Sequence, residues 1–116
     1  MRLCFIDSGS VTIDGMDIYQ ILITNYRNLI TYVPQETTLF DETVLYNLSY
    51  GNDQPFSVIV EECKKMDIHD DILKLENGYN TYLGERGSNI NGGLRQQLFY
   101  VRALLTKAQI YIFDEP

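Results

Sequence analysis

The stretch INGGLRQQLFYVRALLTKAQIYIFDE, Ile90 to Glu115, decides the fold. Its apolar residues Leu94, Leu98, Val101 and Leu105 step by four, three and four, the spacing of one face of a helix of about four turns packed inward. Ile110-Tyr111-Ile112-Phe113 is then a short, continuously apolar run, as in a strand covered on both faces, and it ends in Asp114-Glu115. A helix followed by a buried strand with acids at its carboxyl end predicts an α/β nucleotide-binding sheet, where ligands sit beyond the carboxyl ends of the strands.

Two features of the stretch suggest chemistry. Gly92-Gly93 at a helix start exposes backbone N–H groups at the positive end of the helix dipole, a geometry suited to phosphate, and Asn91 before them caps the helix or offers an amide. Paired glycines at a helix start also serve simply to allow a tight turn, which is the plainer reading of that motif alone. Two acids closing an apolar run are costly unless a cation or a reaction needs them. The assignment they invite is Asp114 towards a hydrated Mg²⁺ and Glu115 polarising an attacking water; solvated acids at the end of the chain are the alternative.

Upstream, the alternation in SVTIDGMDI around Asp14-Gly15 predicts a two-stranded hairpin over Ser10 to Ile18. A short helix is expected over Ile21 to Asn28. Leu29 to Val33 reads as a strand ending at Pro34, with Gln35 on the loop at its end. From Phe40 the pattern turns helical. Thr43 to Leu48 forms one element, Val58 to Met66 a second with Ser57 as N-cap, and Asp70 to Leu75 a third running into Asn77-Gly78. Ile59, Val60, Cys63 and Met66 recur at helical spacing as a core-facing stripe, so residues 40–83 look like a helical subdomain between strand-bearing segments.

With 116 residues, 45 % of them hydrophobic, the chain can bury a real core, and its net charge of −7 argues against general nucleic-acid binding. Cys4 and Cys63 lack metal-ligand spacing and read as reduced thiols. No apolar run approaches the roughly 20 residues of a membrane-spanning helix, and residues 1–20 do not form a signal peptide. On that reading the sequon Asn47-Leu48-Ser49 goes unused.

Taken together, these segments resemble the ATP-binding domain of ABC transporters from about Ser8 to Pro116. INGGLRQQLFYVRALL is similar to the family's signature sequence and its helix, IYIFDE to the Walker B strand with its catalytic glutamate, YRNLITYVPQ to the strand leading to the Q-loop glutamine, and GYNTYLGERG to the segment preceding the signature in exporters. VPQETTLFDETVLYNLSYGN and IHDDILKLENGYNTYLGERG look most like mitochondrial half-transporters linked to iron–sulfur cluster biogenesis.

The resemblance implies a partial P-loop NTPase-type α/β domain: 1–39 core strands and Q-loop, 40–83 helical subdomain, 84–116 exporter loop, signature helix and Walker B strand. It implies ATP and Mg²⁺ as cofactors. Glu115 and Gln35 would be catalytic, Asp114 and Gln35 would lie towards Mg²⁺, and Asn91, Gly92 and Gly93 would lie against the γ-phosphate of ATP held mainly by a partner. Glu85 and Arg86 would sit near the surface coupled to a transmembrane part. The partners implied are a second ATP-binding domain, read as a homodimer, and that transmembrane domain; the location is a membrane, with the domain facing cytosol or mitochondrial matrix.

The departures are as specific as the match. GxxxxGK[ST] occurs nowhere in the sequence, and the D-loop and switch histidine are missing, so residues 1–116 alone are not expected to hydrolyse ATP. His69 reads as an ordinary surface histidine. Asn91 stands for the usual Ser, Leu94 for Gln and Gln97 for Arg, and Phe99 and Val101 replace small residues, with overpacking as the expected consequence. The leading expectation is a piece of an exporter's ATP-hydrolysing domain; the alternative is a non-catalytic remnant or binding partner. Uncovered sheet edges predict aggregation of the isolated chain.

Overall fold

The computed structural model describes residues 5–35 and 38–114. Cys4 and Glu115 lie outside the described residues.

The predicted hairpin is present as β1 (Thr12–Ile13) and β2 (Met16–Asp17), paired antiparallel through a turn in which Asp14 and Gly15 both take positive φ. The first helix, α1 (Ile23–Leu29), begins two residues later than expected, because Leu22 holds extended backbone at φ −54°, ψ 133°. Strand β3 (Ile30–Val33) follows directly and stops before Pro34.

The helical segment contains α2 (Val44–Ser49), α3 (Phe56–Lys65) and α4 (His69–Leu73), then a 3₁₀ turn at Gly78–Asn80. Thr43 caps α2, its hydroxyl accepting the Tyr46 N–H at 3.0 Å. Ser57 is not the cap of α3. Pro55 holds that position, its carbonyl accepting the Val58 and Ile59 N–H groups, and the helix opens at Phe56. The proline's fixed φ suits a helix entry, so no hydroxyl is required there. The core stripe of α3 is as expected, with Ile59 and Cys63 buried and Val60 and Met66 packed against the core. His69 is also not an ordinary surface residue: it is half-buried, and its Nδ1 lies 2.9 Å from the Tyr79 hydroxyl.

Asn47 is fully buried within α2 and bonds the backbone of Phe40 and Thr43, so the sequon cannot be glycosylated in the folded chain.

Helix α5 (Gly92–Leu105) is the long element the sequence predicts, and Leu94, Leu98, Val101 and Leu105 are all buried. Each contributes on the order of 1.5–3 kcal/mol by burial. Their layer joins Val44 and Leu48 of α2, Ile59 and Cys63 of α3 and Ile72 of α4 in one core. Phe99 and Val101 are accommodated without displacing it: Val101 is wholly inside, and Phe99 is covered by the Arg102 guanidinium 4.3 Å above its ring.

After Gln109, β4 (Ile110–Phe113) pairs parallel with β3, Ile30 opposite Ile110 and Val33 opposite Phe113. Parallel pairing of strands separated by a long crossover containing the helices is the predicted α/β arrangement. Coverage on both faces is not observed. Ile112 and Phe113 are each more than 40 % exposed, because the described sheet ends with this pair. The molecule is elongated, 52 × 26 × 20 Å, with a radius of gyration of 16.5 Å, against about 13 Å expected of a compact chain of this length.

Candidate functional site

The candidate residues named from sequence fall into two separate groups. The first lies at the carboxyl ends of the parallel strands. Gln35 follows β3 by two residues and Asp114 follows β4 directly, so the in-register pairing of Val33 with Phe113 brings both to one sheet edge, and both are exposed. The Asp114 N–H donates to the Val33 carbonyl at 3.0 Å, extending the ladder one residue beyond β4. Its carboxylate accepts from the Tyr32 hydroxyl, Oη to Oδ2 2.7 Å, and this bond is the main reason the Tyr32 phenol is pushed above its ordinary pKa. An exposed carboxylate with its backbone fixed suits a hydrated divalent cation, which takes oxygen donors and keeps most of its waters. Among the described residues no cluster of three or more acids, histidines or cysteines could hold a metal unaided.

The second group lies at the N-terminus of α5. The Asn91 Oδ1 accepts the Leu94 N–H at 2.8 Å, and the Arg95 N–H bonds the Asn91 carbonyl. The N–H groups of Gly92 and Gly93 have no acceptor inside the helix by its geometry. Asn91, Gly92 and Gly93 are exposed, and a Cβ built on Gly92 would meet nothing within 4 Å. The glycines thus leave an open backbone face of the kind that accepts an anion. They are not forced by a tight turn, since neither takes positive φ. Leu94 turns the other way: its side chain is in the core, 5 % exposed.

The segment before the signature is held rigidly. Leu83 is buried, its N–H bonded to the Glu42 carbonyl, while Val44 N–H bonds Thr81, which pins this strand-like stretch to the start of α2. Gly84 at φ 71°, ψ 178° then turns the chain into the 3₁₀ turn Glu85–Gly87, where Arg86 is also left-handed. Glu85 and Arg86 both point to solvent. Gly87 lies against Arg95, with Cγ and Nε at 3.4 Å from where a Cβ would stand.

The two groups are not brought together within the chain. Thr106 meets Thr31 at the start of β3, hydroxyl to hydroxyl at 2.6 Å, and Arg102 Nη2 donates to the Thr38 carbonyl past its end at 3.3 Å. Helix α5 therefore runs antiparallel to β3. At 1.5 Å per residue the signature N-terminus stands about 15 Å further along the helix than Arg102. Sequence reasoning missed Tyr32, for which no motif or spacing gave a signal, because the contact joins positions 82 residues apart.

A sequence profile described as ABC transporter matches residues 2–116. An uncharacterised ABC transporter ATP-binding protein of Sinorhizobium fredii is 41 % identical over 116 residues, covering 99 % of this chain and 20 % of its own length. The mitochondrial ABC transporter B family member 24 of Arabidopsis thaliana is 40 % identical over 118 residues, covering 98 % of this chain and 17 % of its own length. Among solved structures, a bacterial Atm1-family ABC exporter with ATP bound superposes with a TM-score of 0.83 at 36 % identity, over 92 % of this chain and 19 % of that one. The chain thus spans about a fifth or less of the length of these relatives.

Proposed function

The chain belongs to the ABC transporter family, and from that premise we propose that it serves an exporter that couples ATP hydrolysis to transport, contributing to two different nucleotide sites. Residues 1–39 supply core strands and Q-loop, 40–83 the helical subdomain, and 84–116 the exporter loop, signature helix and Walker B strand. The observation that carries the reading is the separation of the two exposed groups along α5. One edge offers Gln35 and Asp114; the far end offers Asn91, Gly92 and Gly93.

Two copies packed head to tail satisfy both ends. The helix dipole and the Gly92 and Gly93 amides of one copy face the γ-phosphate of ATP held mainly by its partner. In the other direction, Asp114 and Gln35 of the same chain would hold a hydrated Mg²⁺, and Glu115 would accept a proton from the attacking water. Mg²⁺, when bound, neutralises charge developing on the phosphate oxygens. Glu85 and Arg86, exposed on a turn pinned to α2, are suited to carry the change to a transmembrane domain. The partner in this reading is a second copy, and the domain faces cytosol or mitochondrial matrix, the latter supported by the name of the mitochondrial relative.

The experiment is ATP turnover by the membrane-reconstituted protein that contains this chain. Gly93→Asp places a carboxylate at the phosphate cradle and is expected to lower kcat by at least about tenfold through charge repulsion while leaving nucleotide binding at the partner P-loop. Unchanged turnover would remove the signature from the reaction.

A second reading, a copy that binds its partner without supporting hydrolysis, is favoured by one observation. Leu94 directs its side chain into the core and offers the nucleotide no polar group. An inactive parent protein in the same assay, with intact ATP binding, would favour it.

A further inference from the structure

Tyr32 and Asp114 are two parts of one device. Tyr32 stands opposite Ile112 in the parallel register, and alternation along β4 puts Asp114 on the same face as Ile112. The tyrosine ring leans along the strands and its hydroxyl donates to Asp114 Oδ2 at 2.7 Å. At the same time the Asp114 N–H is fastened to the Val33 carbonyl at 3.0 Å. An exposed aspartate normally samples several χ1 rotamers. Here backbone and side chain are held by adjacent residues of one neighbouring strand.

We propose that Tyr32 is a positioning residue that fixes the Asp114 carboxylate in the orientation used to receive a hydrated divalent cation. The inference rests on the reading of Asp114 as a metal-directed acid. The hydroxyl is what matters, because the ring packs at the strand surface with or without it. A charge-assisted bond of this length selects one rotamer before the cation arrives, so binding no longer has to order the side chain.

The test uses Tyr32→Phe in the protein that contains this chain, with ATP bound and Mn²⁺ as the probe, because among the described residues Asp114 belongs to no cluster that could hold a metal unaided. The Asp114 Hα–Hβ couplings should report one χ1 rotamer in the parent protein and averaging in Tyr32→Phe, and the Mn²⁺ Kd read by paramagnetic broadening at Asp114 should rise about threefold to tenfold. A single rotamer and an unchanged Kd in both proteins would overturn the proposal. Absence of broadening at Asp114 in the parent would refute the metal assignment instead, and the couplings alone would then decide the role of Tyr32. Should Tyr32→Phe not fold, the parent labelled at tyrosine Cζ suffices: a slowly exchanging Tyr32 hydroxyl proton with contacts to Asp114 supports the proposal, and a freely exchanging one sinks it.

Discussion

The Asn47 carboxamide grips the Phe40 peptide from both sides, accepting its N–H at 2.8 Å and donating to its carbonyl at 3.1 Å, with a further bond to the Thr43 carbonyl at 3.0 Å. The loop after the Q-loop segment is thereby stapled to α2 through one fully buried polar side chain. Asn47→Ala leaves these backbone groups without their partner and is expected to cost about 1–3 kcal/mol. Asn47→Asp should be worse, since it keeps the acceptor, loses both donated bonds and buries a charge. Denaturant melts of the two variants check the order; equal stability with the parent would contradict the assigned bonding.

The glycine before the signature and the first glycine within it differ in kind. Gly84 sits at φ 71°, and an added Cβ would lie 2.7 Å from the Ser88 hydroxyl and 2.9 Å from the Asn89 amide nitrogen. Gly84→Ala should destabilise the chain by about 1–3 kcal/mol. Gly92 has open space and a helical neighbourhood, so Gly92→Ala should shift stability by no more than about 0.5 kcal/mol while the added methyl obstructs the open amide face. Thermal melts paired with ATP turnover separate the cases: Gly84→Ala loses fold and function together, Gly92→Ala function alone.

The buried hydrogen-bonded pair Cys63 and Tyr79 makes stability sensitive to alkaline pH. Burial pushes the Cys63 thiol above its ordinary value of 9.0 and the Tyr79 phenol above 10.0, with the Cys63–Tyr79 hydrogen bond raising the phenol further. Groups with folded pKa values above their unfolded ones contribute stability that is complete below the unfolded value and is lost as pH rises towards the folded value. Stability should therefore be insensitive to these two groups up to about pH 8.5, fall from about pH 9 as the thiol of the unfolded chain ionises, and fall faster above about pH 10. Tyr79→Phe should flatten the second part of the decline. Chemical denaturation at stepped pH provides the curve, and a decline of the same steepness in Tyr79→Phe would dissociate Tyr79 from it.

How legible all this was depended on distance along the chain. The α5 stripe and the Asn91 cap are set by residues three or four apart, and both stand in the structure as the sequence spacing implied. The α3 boundary moved because Pro55 and Ser57 both carry start signals and only the geometry of the entering chain decides between them. The exposure of β4, the Tyr32–Asp114 bond and the burial of His69 against Tyr79 depend on which elements meet, which periodicity does not encode.

Leu94 poses the sharpest question about the signature, because restoring the family's glutamine looks like a repair and the packing says otherwise. Its side chain belongs to the same buried layer as Leu98, Val101 and Leu105, and the Leu94 N–H is already taken by the Asn91 cap. A glutamine of similar length must either bury its amide in that layer or swing out and leave a cavity. Either route costs about 1–3 kcal/mol. Leu94→Gln should therefore lower the melting temperature. If the glutamine swings out, it adds a donor beside the Gly92 and Gly93 amides and ATP turnover should rise despite the weaker fold. If it stays in, turnover should not improve and a repacked core should appear as shifted Leu98 and Val101 methyl resonances. A variant as stable as the parent would mean that Leu94 is not a core residue, which would contradict the packing of α5 described above.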